Sequence, residues 1–209
     1  MSSKTPGIAA GLLAIALTSR AGAEPALPPS QPSSGFEIVA AAGLNDMGGD
    51  ADDDYGIGGH LEILLGARLG RRFSLHAGVS LDVLDFNSAN QFQSYTSILF
   101  GFTVVPTFHF GSADTELVIG PKVGLFVDAV SAEQEGRAIE GSATGLVWGL
   151  NAAVLFRVGS GDTKIGPLLG WQSYEYDEFC QTIDGARSCA EVPPDYNQSL
   201  VSLSLAAWF

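Results

Sequence analysis

Residues 145–158 read GLVWGLNAAVLFRV, and the order of side chains in this stretch decides how the rest of the chain is read. Leu146, Trp148, Leu150, Ala152, Val154, Phe156 and Val158 hold one set of alternate positions, and Gly145, Val147, Gly149, Asn151, Ala153, Leu155 and Arg157 hold the other. A period of two sends successive side chains to opposite faces of a β-strand. One face of this strand is therefore apolar from end to end, while the other mixes small, polar and charged groups.

The same alternation continues outward from this stretch. Ile98, Phe100, Phe102, Val104, Pro106, Phe108 and Phe110 oppose Leu99, Gly101, Thr103, Val105, Thr107 and His109. Leu117, Ile119, Pro121, Val123, Leu125 and Val127 oppose Glu116, Val118, Gly120, Lys122, Gly124, Phe126 and Asp128. In all, eight such stretches run at 36–44, 57–69, 72–86, 94–110, 114–130, 143–158, 163–176 and 196–209. Most exceed the roughly five or six residues of a globular strand and reach the about 9–11 that a membrane-crossing strand needs.

Alternation alone does not say which face is inside, because a lipocalin-like barrel turns its apolar face inward. Residue size settles the expectation. The mixed face is crowded with Gly, Ser and Thr and carries charges of both signs, as a narrow closed interior requires, and the bulky apolar face suits lipid. Pro106, Pro121 and Pro167 fall on the apolar face of central strands, where each removes a ladder hydrogen bond, so a bulge is expected at each.

The connections alternate between short and long. Gly70-Arg71, Gly111-Ser112-Ala113 and the GSGD run at 159–162 are short; 45–56, 87–93, 131–142 and 177–195 are long, polar and mostly acidic. Tight turns at one end and long loops at the other are the asymmetry of outer-membrane barrels. Aromatic residues sort by depth in that frame, with Phe36, Phe73, Phe110, Phe156, Trp208 and Phe209 near the short turns and Tyr55, Phe86, Phe92, Tyr95, Tyr174 and Tyr176 near the long loops, which predicts two girdles. The expected fold over 36–209 is a closed eight-stranded antiparallel transmembrane β-barrel, an all-β up-and-down meander.

The N-terminus reads as a processing segment. The apolar run GIAAGLLAIALT at 7–18 follows Lys4 and precedes Ala21-Gly22-Ala23. About 12 residues is too short for a membrane-spanning helix, and small residues at this spacing suit signal peptidase. Residues 1–23 are the expected signal peptide, cleaved after Ala23, and the Pro- and Ser-rich segment 24–35 is a flexible periplasmic lead-in. Loss of Lys4 and Arg20 leaves 8 basic against 23 acidic residues, a formal charge of −15, which makes nucleic acid a poor partner. Cys180 and Cys189, close together in a polar segment of an exported chain, are expected to form a local disulfide.

The last strand, YNQSLVSLSLAAWF, puts Val201, Leu203, Leu205, Ala207 and Phe209 on the apolar face and ends on an aromatic residue. This resembles the C-terminal signal read by the barrel-assembly machinery of Gram-negative bacteria, with Phe209 in the terminal place. Together with the signal peptide and eight strands, it makes the mature chain similar to the OmpA/OmpX-like outer-membrane β-barrel superfamily over about 36–209. The resemblance implies residence in the bacterial outer membrane among lipids and lipopolysaccharide. It implies no activity, and no periplasmic peptidoglycan-binding domain is expected after the barrel.

Among candidate site residues, Glu62, Arg68, His76, Asp82, His109, Glu116, Lys122 and Arg157 face inward by alternation, joined by Asp128 and Lys164. An eight-stranded barrel is just wide enough for side chains to fill, so these charges are expected to satisfy one another and plug the lumen. Some eight-stranded outer-membrane barrels modify lipid A with a His, a Ser and an acidic residue. Here the residues two beyond His60, His76 and His109 are Glu62, Gly78 and Gly111, and Ser80 lies four beyond His76, about 13 Å along a strand. No catalytic residue and no cofactor is therefore expected. The first long loop carries Asp46, Asp50, Asp52, Asp53 and Asp54, a set of oxygen ligands for calcium that lacks the spacing of an EF-hand; the plainer reading is a solvated acidic surface. The functional expectation is a structural or surface-interaction protein that presents four acidic loops. A small porin-like transport channel is the alternative, and a lipid-modifying enzyme the weaker one.

Overall fold

The computed structural model describes residues 34–49, 56–85, 94–134, 137–183, 185–192 and 198–209, which belong to the compact unit Pro32–Phe209. The expected signal peptide, its cleavage after Ala23 and the lead-in up to residue 33 lie outside the described residues. Ser34 and Gly35, expected in the lead-in, already belong to the first strand.

The strands are β1 (Ser34–Gly49), β2 (Gly58–Leu69), β3 (Phe73–Asp85), β4 (Ser94–Gly111), β5 (Thr115–Gln134), β6 (Arg137–Arg157), β7 (Lys164–Ile183), β8 (Ala186–Glu191) and β9 (Gln198–Trp208). Each strand from β1 to β7 pairs antiparallel with the next. β9 pairs with β7 on one side and β1 on the other, so a meander of eight strands closes into a ring. The closing seam continues to the last residue, because Phe209 and Ile38 exchange backbone hydrogen bonds of 3.0 and 3.1 Å.

Large apolar side chains point outward on every strand of the ring. Phe102, Leu125 and Leu205 are more than half exposed, whereas Val105, Leu155 and Leu200, on inward positions, are buried. A soluble protein rarely leaves an apolar patch of more than a few hundred Å² in water; a continuous belt around a closed ring needs lipid as its solvent. The inverted, lipocalin-like arrangement is excluded by this orientation.

Three sequence expectations are corrected by the pairing. First, the segments 131–142 and 177–195 are not plain loops. β5 and β6 continue as a paired ladder out to Gln134 and Arg137, and β8 folds back on the upper part of β7 with Cys180 directly opposite Cys189. Beyond the apolar belt both faces of a strand meet water, so the hydrophobic alternation that marks a spanning strand is lost while its hydrogen bonding persists. The Asp184-Gly185 dipeptide was the available signal for the second hairpin, and Gly185 has a positive φ of 81°.

Second, no bulge accompanies the prolines. Pro106 and Pro121 stand opposite each other in the β4–β5 ladder, where Val104 pairs Val123 and Phe108 pairs Ile119 with the rungs between them missing and the register unchanged. The β6–β7 ladder has the same gap beside Pro167, between the Ala153–Leu168 and Phe156–Ile165 pairs. Each proline lacks a donor toward one neighbour only, and the opposite ladder is intact through Leu75–Pro106, Pro121–Leu150 and Pro167–Leu205. Losing a hydrogen bond while keeping register preserves the inside-outside pattern, which a bulge would shift for the whole remaining strand. The described register shift lies elsewhere, between Thr144 and Gly145, where Asp177 on β7 is the extra residue.

Third, several aromatic residues belong inside. Trp208, Tyr174 and Tyr176 share the inward parity of their strands; Trp208 and Tyr174 are buried, and Phe126 makes edge-on contacts with Tyr174 and Tyr176 at 4.9 and 4.8 Å. Gly145 makes room for this cluster, since a Cβ there would lie 2.9 Å from the Phe126 ring and 1.9 Å from the Glu175 carbonyl oxygen. On the outside, Trp148 and Trp171 pack edge-on at 5.0 Å and the Trp148 indole donates to Glu175 Oε1 at 3.0 Å. Tyr55, Phe86 and Phe92 lie outside the described residues, and the side chain of Tyr95 is not described.

Candidate functional site

The lumen is the place where polar chemistry concentrates, and its side chains bond in three groups. At the turn end, Arg68 is the centre. Its Nε donates to Glu37 Oε1 at 2.7 Å, its Nη1 to Glu116 Oε1 at 3.4 Å and its Nη2 to His109 Nδ1 at 2.8 Å. Lys164 Nζ donates to the other Glu116 oxygen at 2.6 Å. His76 Nε2 lies 3.1 Å from Glu37 Oε2, and Thr107 Oγ1 stands 3.3 Å from both His76 Nδ1 and His109 Nε2.

At mid-height Lys122 and Glu62 form an ion pair whose side chains are each 1% exposed. Asn151 donates to Glu62 Oε2 and Lys122 to Gln172 Oε1, both at 3.3 Å. Toward the loop end, Asp82 accepts from Asn45 Nδ2 at 2.8 Å and from His60 Nδ1 at 2.6 Å, which puts the imidazole proton on Nδ1. Asp128 accepts from Ser97 at 2.6 Å and from the Tyr176 hydroxyl at 3.4 Å, and that hydroxyl also bonds Gln198.

Apolar side chains fill the space around these groups. Val39, Leu64, Val105, Val118, Leu155 and Leu168 form one buried cluster with Trp208, and Met47, Leu84, Leu99, Phe126, Val147 and Leu200 form a second with Tyr174. A cavity beside Glu62, Thr107, Asn151 and Trp208 has a volume of about 10 Å³, barely the room of one water molecule. The Trp208 indole N–H is buried and has no partner among the described residues.

Of the inward charges read from the sequence, Glu62, Arg68, His76, Asp82, His109, Glu116 and Lys122 stand in the lumen, as do Asp128 and Lys164. Arg157 does not join them. It turns to the β4–β5 connection, with its Nε 3.8 Å from Asp114 Oδ1 and 3.2 Å from the Ala113 carbonyl oxygen, and its side chain is 31% exposed. Its position at the very end of β6 explains this, since a long side chain there reaches water more easily than it enters a filled lumen. Sequence reasoning passed over Glu37 and His60, which alternation with Phe36 and Leu61 would have placed inside. It also passed over the uncharged partners Asn45, Ser97, Thr107, Asn151 and Gln172, which complete the network.

At the loop end Asp46 is exposed on β1, and Asp50, Asp52, Asp53 and Asp54 lie outside the described residues. Cys180 and Cys189 are joined by a disulfide across β7 and β8. Glu178 lies beside the two sulfurs, which are consumed by their own bond and do not make a metal site.

No protein-family model matches the sequence, and no curated protein does. Solved structures do. Neisserial surface protein A is similar at a TM-score of 0.50 and 12% identity, over 82% of this chain and 95% of that one. A major outer membrane protein of Thermus thermophilus is similar at a TM-score of 0.51 and 15% identity, over 83% of this chain and 98% of that one. The chain has the fold of a small outer-membrane β-barrel. At these identities the likeness speaks for the fold; the barrel's own lumen and hairpins must carry any argument about what it does.

Proposed function

We propose that this barrel is exported, freed of its signal peptide after Ala23, and resident in the bacterial outer membrane, where it serves as a structural and surface-contact protein rather than as a channel or an enzyme. The filled lumen is the observation that carries this reading. The Glu62–Lys122 pair, the charged cluster around Arg68 and two buried apolar clusters fill the lumen, and a solute would have to desolvate to pass them. The charged groups of the lumen are paired with one another, which supports a structural role over a catalytic one.

What remains accessible is the loop end. Glu133, Glu140, Asp177, Glu178 and Glu191 are exposed on the projecting parts of β5 to β8, and the disulfide holds the last hairpin together. This acidic, stapled sheet is the contact surface. Divalent cations, calcium included, are the means by which it and the aspartates of the first loop would bridge to the phosphates of lipopolysaccharide. The outward belt is the surface for membrane lipids, and Phe209 is the group offered to the barrel-assembly machinery.

Conductance of the purified barrel in a planar lipid bilayer tests the proposal. Closed current traces are expected. Stable single-channel steps that change size when Lys122 or Glu116 is neutralised would replace this reading with that of a narrow channel.

A further inference from the structure

At the loop-side border of the apolar belt, the outward face of β6 and β7 carries two tryptophans and a carboxylate. Trp171, Ser173 and Glu175 occupy successive outward positions of β7, and Trp148 stands opposite Ser173 on β6. The two indoles pack edge-on, with centroids 5.0 Å apart and planes at 80°, and the Trp148 Nε1–H donates to Glu175 Oε1 at 3.0 Å. Ser173 is only 5% exposed although it points outward, so the larger side chains close over it, whereas Trp148 and Trp171 are 44 and 39% exposed.

The belt reaches this rung. Leu146, the cross-strand partner of Glu175, and Leu125 beyond it on β5 are both exposed, and the next outward residue of β6 is Thr144. Glu175 thus stands where hydrocarbon gives way to headgroups, and a charge on the lipid face is costly there unless an opposite charge meets it.

The chain does not supply that cation. Of the eight basic residues that follow Ala23, Arg68, Lys122 and Lys164 are in the lumen, and Arg71, Arg72 and Arg157 are at the short turns. Arg187 stands opposite Thr182, roughly 20 Å beyond Glu175 along β7, and Arg137 opens β6 farther out still. Glu175 forms no ion pair with any described residue. A metal suits the place poorly, because calcium takes about six to eight oxygen ligands. Among the described residues no three acidic, histidine or cysteine groups that include Glu175 come together. Indole faces attract an organic ammonium, and a carboxylate accepts its N–H groups in short, charge-assisted bonds.

We propose that Trp148, Trp171 and Glu175 form an outward-facing site for the primary ammonium of a membrane lipid headgroup, of the ethanolamine kind. The inference rests on the reading that the barrel lies in a membrane, and it names the lipid chemistry that one part of the belt selects. The ammonium sits against the indoles and donates to Glu175 Oε2, the oxygen that the Trp148 bond leaves open. The acyl chains lie along Leu150 and Leu169, the next exposed outward residues toward the short turns.

The test is native mass spectrometry of the folded mature barrel, released from detergent micelles that contain equal amounts of phosphatidylethanolamine and phosphatidylglycerol. The wild type should retain phosphatidylethanolamine in preference by roughly three- to tenfold, the joint effect of a cation–π contact and an exposed ion pair. An acidic chain disfavours the anionic lipid everywhere, and Glu140→Gln, near the tip of β6, controls for this general effect: it should keep the preference. Glu175→Gln still offers Trp148 an acceptor but should abolish the preference, and Trp171→Leu should lower it by about twofold or more. Should one of these two variants not fold, the other decides. Equal retention of the two lipids by the wild type overturns the proposal. So does a preference that survives unchanged in Glu175→Gln or Trp171→Leu, or one that Glu140→Gln lowers as much as Glu175→Gln. A barrel that keeps its heat-dependent gel mobility without any lipid preference refutes this site alone; one that lacks the heat-dependent shift refutes the membrane reading beneath it.

Discussion

Replacing Lys122 by methionine is the sharpest probe of the lumen. The ion pair with Glu62 has both side chains 1% exposed, so solvent screens it little. Two charges 4 Å apart attract by about 4 kcal/mol at an effective dielectric of ~20, and Lys122 gives up its bond to Gln172 as well. Methionine is close to lysine in length and fills the same space, leaving Glu62 as a buried anion with Asn151 as its remaining donor. Breaking a buried pair from one side costs about 3–5 kcal/mol; the retained Asn151 bond argues for the lower half of that range. Replacing both members by Lys122→Met with Glu62→Gln removes the orphaned charge and is expected to recover most of the loss, to within about 1 kcal/mol of the wild type. The assay is urea unfolding in detergent micelles or thin vesicles, read by tryptophan fluorescence and by the mobility of unboiled samples on gels. A single variant that costs less than about 1 kcal/mol, or a double variant no better than the single, would refute the claim that this pair is dry and mutually dependent.

Two further outcomes follow from the pairing. Replacing Cys180 and Cys189 by serine opens a staple closing a short loop, worth about 2–3 kcal/mol of unfolded-chain restriction; because β8 pairs with β7 alone among the described residues, the loss should appear as faster proteolysis of 186–191 on intact cells, with the unfolding of the barrel itself unchanged. Pro106→Ala supplies an N–H opposite the Pro121 carbonyl, and its amide is expected to be protected from hydrogen exchange; an amide there that exchanges freely would mean that the β4–β5 strands have parted rather than kept register.

Heat-dependent gel mobility of the outer-membrane fraction bears on the whole assignment. A closed ring sealed at Phe209–Ile38 should run compact until boiled, and equal mobility before and after boiling would contradict the closed seam.

Much of this barrel was legible in the order of its residues. Alternation in GLVWGLNAAVLFRV and its seven counterparts followed from the period of a strand, which needs no knowledge of neighbours, and residue size on the two faces decided which one meets lipid. Short glycine-containing turns marked one end. The orientation of Trp208 was legible too, since Phe209 outward requires Trp208 inward, although depth alone had assigned it to a girdle.

What the order of residues determined by itself is everything that repeats along one strand: its span, its two faces and its place in a meander. What the tertiary structure alone decided depends on register between strands. Glu37 reaches His76 because Gly66 lies between them, Lys122 finds Glu62 across the lumen, and Pro106 meets Pro121 in a single gap, none of which is encoded within any one segment. The β7–β8 hairpin belongs to the same class. Outside the membrane no lipid imposes a hydrophobic face, so cross-strand hydrogen bonding and the Cys180–Cys189 bond alone define its structure.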